Sequence, residues 1–67
     1  MTPDELREAG ERLASLNPET YGRGWQTALA CVLGVDPRTV RKWIAGDNPI
    51  PGMAVVAIQG LLKDEAT

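Results

Sequence analysis

Histidine and phenylalanine are absent from this chain of 67 residues, and it has a single cysteine, Cys31. Without histidine, the usual zinc spacings and the side chain that titrates near neutrality are both missing. One cysteine excludes an intramolecular disulfide, and with no partner ligands it reads as a small apolar filler. No apolar run approaches the ~20 residues that cross a bilayer, and no stretch resembles a signal peptide. The acids scatter over a helix face and form no catalytic set. We therefore expect no enzymatic activity, metal, cofactor or small-molecule ligand, and a cytoplasmic protein made of one domain over residues 1–67. A chain this short buries only a modest core, so a second copy is the expected supplement to its stability.

Cations are few as well, seven Lys and Arg against nine Asp and Glu, for a net charge of −2. Their distribution carries more information than their sum. Residues 1–20 hold Asp4, Glu5, Glu8, Glu11 and Glu19 against Arg7 and Arg12. Residues 21–46 hold Arg23, Arg38, Arg41 and Lys42 against Asp36 alone, and the remainder turns acidic again with Asp47, Asp64 and Glu65 against Lys63. A basic centre between acidic ends is a patch, and a patch selects partners where net charge does not.

Helical periodicity runs through the chain, with no strand-like alternation, repeat or low-complexity segment. Thr2-Pro3-Asp4-Glu5 combines a cap, a proline suited to the first turn and a capping-box glutamate. Leu6, Ala9, Leu13 and Leu16 then predict a first helix over Pro3–Leu16, ended by Asn17-Pro18. The stretch "NPETYGRG" reads as a loop in which only Tyr21 packs. A second helix is expected from Trp25 or Gln26 to Leu33, with Leu29, Ala30 and Leu33 as its apolar stripe and Gly34 as its stop. Asp36 caps a third helix that begins at Pro37 and runs to Ala45, and Gly46 ends it. "GDNPIP" is a rigid connector to a fourth helix over about Gly52–Lys63. The fold class is all-α, a small domain of four helices, or five.

Projected at about 100° per residue, the third helix divides in two. Arg38, Arg41 and Lys42 share one arc of roughly 100°, and Val40, Trp43 and Ile44 share the opposite one. Pro37 and Ala45, at the basic arc or beside it, are small enough to let the helix axis come close to whatever the cations touch. Such a helix anchors by one side and offers cations by the other. Arginine can fork onto O6 and N7 of guanine in the major groove, at ~1–3 kcal/mol of discrimination per contact. Trp43 lies on the packing arc, and Trp25 stands between core and surface.

Residues 25–46, "WQTALACVLGVDPRTVRKWIAG", resemble the helix-turn-helix of lambda-repressor-like (Xre/Cro family) DNA-binding proteins. Gln26, Leu29, Ala30, Leu33, Gly34, Val35, Asp36, Val40, Trp43 and Gly46 fall on the positions of that pattern. Trp25 departs from it, standing where the family usually has a capping Thr or Ser. The resemblance implies a lambda-repressor-like domain in which Arg38, Arg41 and Lys42 face base edges, with Thr39 at the rim. It places Gln26 at the start of the second helix on a DNA phosphate. The loop at 46–51 often meets phosphate in the family; here it has Asp47 and no cation, leaving Asn48 or backbone amides for that contact. Arg23, in the loop beside this surface, is a further candidate for phosphate.

The fourth helix is more apolar than one buried stripe needs, with Val55, Val56, Ala57 and Ile58 in a row. It is expected to dimerise the chain two-fold through Met53, Val56 and Leu61. Ala28, Cys31 and Val32 form a second apolar strip, to be covered by the first helix or by another chain. A dimer reads a palindromic operator with half-sites about ~34 Å apart. The functional expectation is a transcriptional repressor acting by steric exclusion, at its own promoter. By the same resemblance, its small size suggests the autorepressors of phages and of anti-CRISPR operons. The rival is an antitoxin-like or adaptor protein that holds a protein partner through the fourth helix.

Overall fold

Thr2 opens the first helix by exchanging hydrogen bonds with Glu5. The Glu5 amide donates to Thr2 Oγ1 at 3.1 Å, and the Thr2 amide donates to Glu5 Oε1 at 2.9 Å. The hydrogen bond from the Thr2 backbone amide, and after it hydrogen bonding with the Thr2 side chain, holds the Glu5 carboxyl below its ordinary value. The computed structural model describes residues 1–22 and 24–66. Five helices follow one another: α1 (Pro3–Leu16), α2 (Pro18–Tyr21), α3 (Trp25–Leu33), α4 (Pro37–Ala45) and α5 (Gly52–Ala66). No strand occurs among the described residues.

The segment read as a loop contains the one-turn helix α2. Its start repeats the signals that open α4, a short polar cap followed by proline. The Asn17 side chain accepts the Thr20 amide at 3.4 Å, and Pro18 takes the first turn. Asn17 therefore ends α1 and caps α2 at once, whereas the sequence reading took Asn-Pro only as a stop. Tyr21 is buried as expected, at the end of that turn. The last helix also runs to Ala66 rather than Lys63. Near its end, Asn17 Nδ2 donates to Glu65 Oε1 at 3.4 Å, tying α5 to the corner between α1 and α2.

Helix α1 is the hub, since α2, α3, α4 and α5 all pack on it. The core consists of Leu6, Ala9, Leu13, Tyr21, Leu29, Ala30, Val40, Trp43, Ala54 and Ile58. Leu16, placed in the apolar stripe by its spacing, is instead exposed. It occupies the last position of α1, where the helix has run past the core. Its place in the stripe is taken by Gly10, which is buried. A methyl group added at Gly10 would enter the six-membered ring of Trp25, so the bare backbone of α1 is the seat for that indole. The contact sets the distance between α1 and the start of α3.

Two predictions follow from this packing. Glycine inside a helix normally costs ~0.5–1 kcal/mol relative to alanine, so an unhindered Gly→Ala change stabilises. At Gly10 the clash with Trp25 reverses the sign, and Gly10→Ala should cost about 1–2 kcal/mol in urea denaturation. Adding Trp25→Leu should restore part of it, and a raised midpoint for Gly10→Ala alone would refute the contact. The second concerns Tyr21, whose phenol is held above its ordinary value by burial and then by the Glu65 carboxylate. The folded state thus favours the neutral phenol. That stabilisation is complete below the unfolded pKa of ~10 and is lost as pH rises through the higher folded value. Thermal melts of wild type and Tyr21→Phe should diverge on the alkaline side only.

Candidate nucleic-acid interface

Two nine-residue helices, α3 and α4, pack on each other across a link of Gly34, Val35 and Asp36. Gly34 sits at φ 75°, in the left-handed region that glycine tolerates. It lets the Val35 amide turn back to the Ala30 carbonyl at 2.9 Å and close α3. Val35 packs against the core, which fixes the direction in which the chain leaves the turn. Asp36 then caps α4: its Oδ1 accepts the Arg38 amide at 2.8 Å.

On α4, Val40 is fully buried and Trp43 is 4 % exposed, with Ile44 half-buried beside them. Burying this arc against α3 and α1 turns the opposite one outward, so Arg38, Arg41 and Lys42 are exposed on the same side. Among the described residues, no ion pair takes up these three charges. Thr39 and Pro37 are half-buried at the edges of that face, and Ala45 is exposed near its far end.

The residues expected to support the basic face are placed unevenly. Gln26 is half-buried in the first turn of α3. That helix follows Gly24 and has no side-chain cap, so its opening amides lack the side-chain oxygen that caps α1, α2 and α4. Arg23 lies outside the described residues. In the loop after α4, Gly46 adopts φ 81°, and the amides of Asp47 and Asn48 both donate to the Lys42 carbonyl, at 3.0 and 3.5 Å. Those amides are therefore committed to closing α4. The exposed Asn48 side chain and the Ile50 amide remain in this loop.

The apolar surfaces divide as well. Met53 is 87 % and Val56 69 % exposed on α5, and with Gly52 and Ala57 they line a shallow apolar depression. It continues into a groove formed by Leu33, Val35, Trp43, Pro51 and Ala54. Leu61, grouped with Met53 and Val56 by sequence, is half-buried against the core instead. It belongs with Ala54, Ile58 and Leu62 on the inner stripe of α5, four positions whose spacing keeps one face together. On α3, Ala28 packs inward while Cys31 and Val32 stay exposed, so α1 leaves the outer part of that strip uncovered.

Among the described residues, no helix is long and apolar enough to cross a membrane, and no group of His, Cys, Asp or Glu is placed to hold a metal ion. The chain matches no protein-family model, no curated protein and no solved structure. The two faces of α4 should separate in a stability measurement. Replacing Arg38, Arg41 and Lys42 together by alanine should move stability by no more than ~0.5 kcal/mol, as for other surface positions. Trp43→Ala should cost ~3–5 kcal/mol. A large loss in the triple variant would mean that the cations serve the fold.

Proposed function

We propose that the chain is a sequence-specific DNA-binding regulator that inserts α4 into the major groove. The observation that carries this reading is the exposed row Arg38–Arg41–Lys42, which no ion pair takes up among the described residues, on a helix whose other side is locked into the core. It agrees with the resemblance of residues 25–46 to a lambda-repressor-like helix-turn-helix. A recognition element must hold cations at a fixed angle while leaving them free of protein partners. In this reading Arg38, Arg41 and Lys42 meet base edges, and Thr39 meets the rim of the groove. Gln26 and the uncapped start of α3 take a backbone phosphate, with Asn48 and Arg23 as further phosphate contacts.

One domain with so few cations cannot define a unique site, so the reading includes a two-fold homodimer on a palindromic operator. Met53 and Val56 are the most exposed large apolar groups among the described residues and are the ones taken to form it, while Leu61 supports α5 from beneath. Extents of 30 × 21 × 21 Å leave room for two copies whose centres lie one duplex turn, ~34 Å, apart. Occupation of a promoter by such a dimer, its own in the simplest case, excludes polymerase sterically. The exposure of Met53 and Val56 equally favours a second reading, an antitoxin-like or adaptor protein that covers the same patch with another protein.

A gel-shift titration on the DNA upstream of its own gene distinguishes them. The regulator predicts sequence-selective binding whose log–log dependence on salt falls by ~0.9 per phosphate neutralised. Arg41→Ala should reduce selectivity by ~1–3 kcal/mol. In sedimentation, wild type should be a dimer and Val56→Glu a monomer with weakened binding. Binding indifferent to sequence and to Arg41 would sink the regulator, and a monomeric wild type would favour the protein-partner reading.

A further inference from the structure

The helices α3 and α4 begin in opposite ways. Helix α3 starts from Gly24 with no side-chain cap and no acid in its first turn. At α4 every backbone donor of the first turn is absent or engaged. Pro37 has no N–H, the Arg38 amide donates to Asp36 Oδ1 at 2.8 Å, and the Thr39 amide donates to the Asp36 carbonyl at 2.9 Å. The backbone of the α4 end thus has no first-turn amide left for a phosphate, and its cap carries a negative charge.

Capping alone does not call for that charge. Serine, threonine or asparagine would satisfy the same amide about as well. Asp36 is exposed, and among the described residues the only bond to its carboxylate is the one from the Arg38 amide, which occupies a single oxygen. The other oxygen is an unused acceptor at the leading end of the helix that carries the cations. Near a polyanion a carboxylate is repelled from the backbone. It finds a partner only at a base edge that presents a donor. The major groove offers two, the N6 amino group of adenine and the N4 amino group of cytosine. The N7 lone pair beside the adenine donor repels a carboxylate, which leaves cytosine as the base that suits it.

We infer that Asp36 is a specificity-determining residue, capping α4 with one carboxylate oxygen and selecting a cytosine with the other. This rests on the DNA-binding reading above. The division of labour is then electrostatic: the open start of α3 is compatible with phosphate, and the acidic start of α4 is compatible only with a base. Asp36 lowers affinity for DNA in general and raises discrimination between sequences. Arg38 and Arg41 supply the complementary preference for guanine.

The test is selection from a random-sequence duplex library with wild type, Asp36→Asn and Asp36→Ser, followed by titration against the selected duplex and a scrambled one. Both substitutions keep a capping side chain, and unchanged helical circular dichroism and melting verify that α4 still forms. Wild type should enrich a half-site with one position where cytosine is favoured about ten-fold. Both variants should lose that preference and bind the scrambled duplex more tightly at low salt. Retention of the wild-type preference at every position by both variants overturns the role of Asp36, even if general affinity rises. Should wild type enrich nothing and Arg41→Ala change nothing, the DNA-binding reading itself fails and takes this inference with it.

Discussion

Burial of Val40 and Trp43 is the constraint on which the rest of the molecule turns. Helix α4 has only nine residues, too few to be stable alone, so its existence depends on what its apolar arc packs against. Once that arc is seated on α1 and α3, rotation about the helix axis is fixed. The direction of Arg38, Arg41 and Lys42 follows without any contact made by the cations themselves. Cationic face and core are two sides of one packing event. A chain of net charge −2 can therefore present a cationic face, because the fold keeps the acids of α1 and the cations of α4 on different helices.

That seating depends in turn on α1. Gly10 removes one side chain from the middle of α1, and the Trp25 indole fills the space. The contact anchors α3 at the end where it lacks a cap. Packing thus does at Gly24–Trp25 what hydrogen bonds from Thr2, Asn17 and Asp36 do for α1, α2 and α4. The opening amides of α3 escape a side-chain acceptor as a result, which suits a helix end proposed to face phosphate.

Where the sequence reading fell short, the missing information was tertiary. Leu16 has the spacing of a core residue, but periodicity gives only an angle and not how far along the helix the core extends. Leu61 was paired with Met53 and Val56 as apolar excess, although the structure divides them between the inner and outer faces of α5. Which arc of a helix this apolar is the buried one depends on the position of α1. Backbone amides of the loop at 46–51 were offered to a ligand, but the left-handed turn at Gly46 brings those of Asp47 and Asn48 onto the Lys42 carbonyl. Gly10 gave a weak local signal, a glycine inside a helical stripe; its partner Trp25 lies in a different helix.

By itself, the sequence determined the local structure. The capping pairs Thr2–Pro3 and Asp36–Pro37 and the stop glycines Gly34 and Gly46 placed the ends of α1, α3 and α4 on the expected residues. Those ends depend on groups within a few positions of one another. It also determined that α4 has a basic and an apolar arc, since helix geometry alone sets the angle between side chains. Only the tertiary structure decided how far each arc is exposed, which apolar residues of α5 remain outside, and that Gly10 and Trp25 meet. These depend on distances between helices, and those are set by the packing of residues remote in the chain.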